Sequence, residues 1–389
     1  MMKNTLTKIL SYVLVALLSC AITMTVMLSA LNQQPAGYSK LDQLEDVINT
    51  YFIGDPDWEA VEDAAAGAMV ESLGDRWSHY MTKDQYDSYM EQMTNSYVGV
   101  GITVQLHEEG GILVTKVTAG SPAEEAGVLA GDRIIAADGT DVTSMDLNGA
   151  SQLIKGEAGS RVELTVIRAG ETLKLSVERR VIKTAVAVAT MLEGKIGLVR
   201  IVNFDERCAD ETIAAIEKLQ KQGAEKLIFD VRFNPGGYAK ELVKVLDYLL
   251  PEGDLFRTVN YAGQESLDRS DAACLKMPMA VLVNGDSYSA AEFFAAALRE
   301  YDWATVVGTQ TCGKGYFQST FRLGDGSAVT ISLGKYFTPK GVSLAEVGGL
   351  VPDVVVEVDE ETAAAIYAET LDPMEDPQIL AAIDALNKK

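Results

Sequence analysis

The sequence predicts an α/β domain with a mixed or largely parallel sheet, preceded by a β-rich domain, a helical cap and one membrane-spanning segment. Three observations carry this expectation. From about Ile182 onward, short β-like runs alternate with helical stretches, the pattern of an α/β domain. Between Tyr97 and about Val181 the texture is instead one of β-like runs split by glycine turns. Ile9 to Leu31, finally, contains no charged residue. At 389 residues the chain exceeds a usual single core, so two or three domains are expected.

The apolar stretch Ile9–Leu31 is long enough to cross a hydrocarbon core of ~30 Å at ~1.5 Å per residue. Lys3 and Lys8 precede it, and Asp42, Glu45 and Asp46 follow. The positive-inside rule then puts residues 1–8 in the cytoplasm, 9–31 across the cell membrane as a single pass, and the rest outside. Two other readings stand beside the anchor. A cleaved signal peptide usually has a shorter apolar core of roughly 7–15 residues. Leu17-Leu18-Ser19-Cys20 also resembles a lipoprotein cleavage site, although the residues after Cys20 stay apolar.

Residues 32–96 form the helical cap. Leu41, Leu44, Val47 and Ile48 fall at helical spacing, Ala64, Ala65, Met69 and Val70 begin a second apolar stripe, and Gly74 stops it. The β-rich domain, 97–181, opens with Gly99-Val100-Gly101-Ile102-Thr103-Val104. Ser121-Pro122-Ala123-Glu124-Glu125-Ala126-Gly127 within it reads as a short helix with Ser at the N-cap, Pro at N1 and Gly at the end. Arg161–Ile167 alternates as a strand. In 182–389, strands are expected at Lys226–Val231, Ala280–Val283, Thr305–Val307 and Ala328–Ser332. Helices are expected at Glu241–Leu250 and Ser289–Leu298, and again from Glu360 to the C-terminus.

A net charge of -23 repels phosphate backbones and argues against a nucleic-acid partner. Cys208, Cys274 and Cys312 have neither disulfide-framework nor metal-ligand spacing, so free thiols and no metal are expected.

Chemistry concentrates in the last domain. Val281 to Glu292 reads as a strand, a tight turn and a helix start, which exposes Ser289 beside backbone N–H groups and the helix dipole. That position suits an attacking hydroxyl. It equally suits a simple N-cap by Ser287 or Ser289, with Glu292 closing a capping box. Only His79 and His107 exist as histidine bases, and both lie outside this domain. Lysine serves as a base when desolvation lowers its pKa. Lys314, set between Gly313 and Gly315, is the candidate, with Gln318 four residues on to hold the amine. Gly308 to Gly315 imitates a phosphate-binding loop, but Gly315 replaces its Ser/Thr and a strand-like run follows where a helix is needed. In Asp230-Val231-Arg232-Phe233-Asn234-Pro235-Gly236-Gly237 a strand ends in a Pro-Gly-Gly turn whose N–H groups could form half an oxyanion hole.

Together these segments resemble the carboxyl-terminal processing peptidases, or tail-specific proteases. Asp230 to Gly237 is similar to the family's D-x-R-x-N-P-G-G, Asn284 to Glu292 to its N-x-x-[ST]-A-S-A-S-E, and Gly313-Lys314-Gly315 with Gln318 to its G-K-G-x-x-Q. Pro339-Lys340-Gly341, Gly348 to Asp353, and Asp75 to Tyr80 resemble further family motifs, so the likeness runs from about Lys40 to Val358. It departs at Tyr288 and Ala291, where the family usually has alanine and often serine.

The resemblance implies a crotonase/ClpP-like α/β protease core with an inserted PDZ domain, acting without metal or cofactor. Ser289 would be nucleophile, Lys314 general base and Gln318 the residue orienting the lysine. The oxyanion hole would combine the Ala290 amide with that of Gly236 or Gly237. In the PDZ-like part, Val98-Gly99-Val100-Gly101-Ile102 would bind the terminal carboxylate of a protein substrate, which adds as a strand. The expected function is a membrane-anchored, extracytoplasmic serine endopeptidase; the competing one is a catalytically silent PDZ scaffold. Apolar stripes near Leu41 and in the C-terminal helices offer surfaces for a homodimer, and an activating partner is left open.

Overall fold

The computed structural model describes Ser19, Met24 and residues 39–388. The expected anchor, 9–31, lies outside the described residues apart from those two. Among the described residues no helix is long and apolar enough to cross a membrane. The chain divides into two compact units, 1–65 and 66–389.

In the first unit the helix Lys40–Tyr51 begins at Ser39. The Ser39 hydroxyl accepts from the Asp42 amide at 3.2 Å, while Asp42 accepts from the Ser39 amide at 2.5 Å, which satisfies two otherwise orphaned donors. Leu41, Leu44 and Val47 of the expected stripe are all exposed. The helix Trp58–Glu71 follows, and Gly74 beyond it has φ +69°, the left-handed geometry of a helix stop.

The second unit takes in the end of the helix Trp58–Glu71 from Ala66 and continues with β1 (His79–Met81), the helix Lys83–Met93 and β2 (Ser96–Gly99). A β-rich domain is then built from β3 (Ile102–Leu106), β4 (Ile112–Val117), β5 (Arg133–Ala137), β6 (Thr140–Asp141), β7 (Arg161–Arg168) and β8 (Glu171–Glu178). Its strand order is β3-β4-β5-β7-β8, with β6 paired to β5. Val162, Leu164 and Val166 of β7 all point into its core, as strand alternation requires. Ser121 caps the short helix Pro122–Glu125 as expected. β9 (Arg180–Lys183) returns to pair antiparallel with β2, so the chain enters and leaves this domain through one two-stranded neck.

Next come β10 (Ala187–Leu192), β11 (Ile196–Ile201), β12 (Lys226–Asp230), β13 (Gly253–Asn260), β14 (Glu265–Ser270) and β15 (Met279–Val283). They are followed by β16 (Ala304–Gly308), β17 (Tyr316–Arg322), β18 (Ala328–Phe337) and β19 (Val354–Val355). The central sheet runs β10-β11-β12-β15-β16-β19; its strands are parallel except for β10 at the edge. Both faces are buried. Leu227 and Phe229 of β12 and Met279, Val281 and Val283 of β15 meet the helices Cys208–Lys221, Ala239–Leu249 and Ala290–Glu300. The intervening Ile228, Ala280 and Leu282 meet Ile379, Ala382 and Leu386 of the helix Pro377–Lys388. Two-sided burial is why these strands read as unbroken apolar runs in the sequence.

The largely parallel sheet is only half of this architecture. A second, antiparallel sheet has the order β1-β18-β13-β14, with β17 also on β18. Because β1 belongs to it, the end of the expected helical cap is stitched into this sheet, His79 opposite Thr330. The expected helix from Glu360 onward is two helices, Glu360–Tyr367 and Pro377–Lys388, because Pro373 and Pro377 cannot continue one.

One buried ionic cluster ties the last helix to the sheet. Arg232 donates to both carboxylate oxygens of Asp230 (2.9 and 2.7 Å), to Gln378 Oε1 (2.8 Å), and pairs with Asp376 (2.8 Å). Removing one partner strands the others out of water, which generally costs about 3–5 kcal/mol. Asp376→Ala is therefore expected to lower unfolding free energy by about that amount in urea melts. Glu357→Ala, at an exposed position, should change it by less than ~0.5 kcal/mol.

Candidate active site

β12, β15 and β16 are adjacent and parallel, so the segments leaving their carboxyl ends emerge at one edge of the sheet. Crevices at such edges are where α/β proteins bind ligands. The three segments are 231–237, 284–289 and 309–315, the same three that the sequence singles out.

The middle one turns sharply before the helix Ala290–Glu300. Ser287 is fully buried; its hydroxyl donates to Val231 O (2.7 Å) and accepts from the Asn284 amide (3.0 Å). Asn284 Oδ1 in turn accepts from the Phe233 amide at 2.9 Å. Of the two serines, Ser287 is thus a structural staple between β12 and β15. Ser289 is half-buried and has φ 58° and ψ -121°, a conformation that an L-residue keeps only when its surroundings enforce it. The helix starts at the next residue, so the Ala290 amide is one of the donors without an intrahelical acceptor.

Gly236 makes room for this turn. A Cβ there would lie 2.7 Å from Ser289 Cβ and 2.9 Å from the Ala290 nitrogen, so only glycine fits. The Gly236 amide donates to Asn234 Oδ1 at 2.8 Å, and Asn234 is anchored through its own Nδ2 to Ile201 O (2.8 Å). The neighbouring Gly237 amide has no acceptor among the described residues.

Glu292 holds the third segment to the second. Its carboxylate is completely buried. Oε1 accepts from the backbone amides of Ser289 (3.2 Å) and Lys314 (2.6 Å). Oε2 accepts from Thr311 Oγ1 (2.8 Å) and the Gly313 amide (2.9 Å). Burial pushes its pKa up while those four donors pull it down, and the net direction is upward. The sequence suggests Glu292 only as one half of a capping box; that half is present, and it is a quarter of what the residue does.

The Lys314 amine lies 4.9 Å from the ring centre of Trp77 and 5.7 Å from that of Tyr288. Burial lowers its pKa to about 8, against the opposing charges of Glu292 and Asp75. Trp77 is delivered by the turn before β1: Ser78 Oγ donates to Asp75 (2.6 Å) and accepts from the Ser332 amide (3.0 Å). Periodicity marks neither Trp77 nor Tyr288; the signals are the likeness of Asp75–Tyr80 to a family motif for the first and the departure from the family's alanine for the second. Gln318 is nearby in sequence, but its Nε2 donates to Tyr316 O (3.0 Å) and Ser332 Oγ (3.3 Å). Among the described residues no hydrogen bond joins Lys314 to Ser289 or to Gln318. His79 is exposed on β1, and His107 accepts from the Glu109 amide within the β-rich domain at 3.1 Å. Cys208, Cys274 and Cys312 are free thiols. No cluster suited to a metal occurs among the described residues.

In the β-rich domain, Val98 and Gly99 belong to β2, Ile102 opens β3, and Val100 and Gly101 form the link between them. The Val100 and Gly101 carbonyls accept from the Ala123 and Thr118 amides, each at 2.9 Å. Their own amides have no acceptor among the described residues, and β3 has no partner along its outer edge.

Two family models match parts of the chain. Residues 195–356 match the model of peptidase family S41, and residues 113–168 match a PDZ domain. The chain is 34% identical to the carboxy-terminal processing protease CtpA of Bacillus subtilis, over 85% of this chain and 72% of that one. It is 32% identical to the carboxyl-terminal-processing protease of Synechocystis, over 82% and 75%. Among solved structures, a candidate S41 protease from Bacteroides fragilis superimposes with a TM-score of 0.55 at 17% identity, covering 87% of this chain and 93% of that one.

Glu292→Ala leaves four donors without their acceptor in a dry site, each worth about 1–3 kcal/mol when unsatisfied. Loss of at least about 3 kcal/mol in denaturant melts is expected. Glu292→Gln, which keeps the shape but turns amide hydrogens toward two of those donors, should also destabilise. A Gln variant as stable as the parent would show that the ionised acceptor is dispensable.

Proposed function

Because the chain belongs to peptidase family S41, we propose that it is a serine endopeptidase in which Ser289 attacks and Lys314 is the general base. The observation that carries this reading is the buried Glu292 carboxylate, which accepts from the backbones of Ser289 and Lys314 at once. Its consequence is that a desolvated amine and a strained, half-exposed serine stand at the same edge of the sheet.

In this mechanism the neutral Lys314 amine takes the Ser289 proton as Oγ bonds to the substrate carbonyl carbon, and the carbonyl π pair moves onto oxygen. The resulting ammonium returns the proton to the departing amine, and water then hydrolyses the acyl-enzyme by the same route. The Ala290 amide and the Gly237 amide would receive the oxyanion. Gly237 is favoured over Gly236 because the Gly236 amide is already committed to Asn234 Oδ1. Gln318 makes no hydrogen bond to the amine here; with its Nε2 held by Tyr316 and Ser332, its oxygen would be the atom that accepts from Lys314 during the reaction.

The PDZ domain would hold a protein C-terminus. The unpaired outer edge of β3 can take an extended tail as an added strand, and the Val100 and Gly101 amides can take its carboxylate. Parallel strands with helices on both faces accord with a crotonase/ClpP-like core. The uncharged stretch 9–31 behind Lys3 and Lys8 supports an anchor that places this machinery outside the cytoplasm.

The direct test is hydrolysis of an unstructured, internally quenched tail peptide by residues 32–389. Ser289→Ala and Lys314→Ala are each expected to abolish it. Near-parental turnover by Lys314→Ala would overturn the dyad, and tail binding without hydrolysis by the parent would leave a PDZ scaffold. The base must be unprotonated to act, so kcat/KM should rise with pH and level off above the amine's pKa of about 8. A plateau already reached at pH 6 would exclude Lys314 as that base.

A further inference from the structure

Tyr336, near the end of β18, is 3% exposed, and its ring packs against Phe256 and Phe293 at centroid distances of 5.6 and 5.7 Å. Its hydroxyl is buried with no hydrogen-bond partner among the described residues. Buried hydroxyls are nearly always paired, so an orphan calls for a reason. Ser289, Glu292 and Cys312 are polar groups close enough to act on it. The hydroxyl lies beside the Ser289 side chain, although no hydrogen bond is closed between them here. The strand is fixed at this position, since the Tyr336 amide donates to Gly315 O at 3.1 Å, one residue from Lys314. Two aromatic rings and the segment after Lys314 therefore hold one unsatisfied O–H in the neighbourhood of Ser289.

We propose that Tyr336 is a positioning residue of the catalytic centre, donating its hydroxyl hydrogen to Ser289 Oγ as the bond to the substrate forms. A donor there occupies one lone pair of Oγ and turns the serine proton toward Lys314. It then offsets the negative charge that grows on Oγ when that proton leaves. Tyr336 keeps its own proton throughout: burial, with Glu292 nearby, holds the phenol pKa well above its ordinary value, so it serves as a donor and never as a base. The serine proton goes to Lys314, as in the mechanism above, and this proposal rests on that reading of Ser289.

Tyr336→Phe tests it, because the ring and its packing stay and only the hydroxyl goes. With the quenched tail peptide, kcat is expected to fall about 10- to 100-fold with KM nearly unchanged. Inactivation by a peptidyl phosphonate, which labels a serine nucleophile directly, should slow by a similar factor. The melting temperature should hold or rise, since an unsatisfied buried group has been removed. The same phosphonate, located by mass spectrometry on the parent, separates the two readings. No adduct on Ser289 in an active parent would refute the nucleophile assignment. An adduct on Ser289 in both proteins, formed at equal rates and with equal kcat, would refute the role of Tyr336 alone. If Tyr336→Phe melts more than a few degrees lower, Tyr336→Leu supplies the control. A loss that follows melting temperature across both variants would mark the residue as structural and overturn the proposal.

Discussion

The Glu292 carboxylate is the constraint on which the rest of the site depends. It sits at the third position of a helix, completely out of water, and its two oxygens are divided between the turn that carries Ser289 and the loop that carries Lys314. A buried charge of this kind is tolerable only when fully hydrogen-bonded. All four of its donors come from those two segments, three of them main-chain amides. Satisfying one carboxylate therefore fixes two backbones in relation to each other. The strained torsion at Ser289 and the backbone that carries Lys314 are both held by it.

Around that pin, close approach of backbones does much of the work. Gly236 lies against Ser289 and Ala290, Gly313 against Gly348 and Gly349, and Gly315 against Ala345. Each contact is closer than a Cβ would permit. The glycine-rich runs that punctuate the sequence are thus contacts between segments, and the Gly348–Asp353 motif gains a physical meaning. It backs the loop that carries Lys314, with the Leu350 amide donating to Thr311 Oγ1 (2.8 Å) and Asp353 accepting from the Val306 amide (2.8 Å).

How much of this was legible in the sequence follows from what kind of signal each part leaves. β12, β15 and β16 were legible because burial on both faces writes an apolar run. The chemistry-bearing segments were legible as motifs at the ends of those strands. The antiparallel sheet was largely hidden: β13 and β14 carry charges at Asp254, Arg257, Glu265, Asp268 and Arg269, so no apolar run marks them. The choice between Gly236 and Gly237 was beyond sequence reasoning because it turns on where Asn234 Oδ1 points. Trp77 and Tyr336 come from strands or turns far from Ser289 along the chain, and only the pairing of β1 with β18 brings that sheet into register. The partnership expected of Gln318 with Lys314 is not formed here; its amide is spent on Tyr316 and Ser332.

The cluster at Arg232 has a consequence for timing. Arg232 opens the turn that leads to Gly237, yet its charge is balanced partly by Asp376 and one of its N–H groups is satisfied by Gln378, both of which the ribosome adds more than a hundred residues later. A nascent chain that has emerged as far as Lys314 already holds both Ser289 and Lys314, but the guanidinium at the foot of the 231–237 turn still lacks part of its counter-charge. Folding of the helix Pro377–Lys388 is what completes the partners of that guanidinium. Synthesis order thus supplies a natural delay: the guanidinium at the foot of this turn is fully partnered only once the C-terminal helix has been made and packed against the sheet.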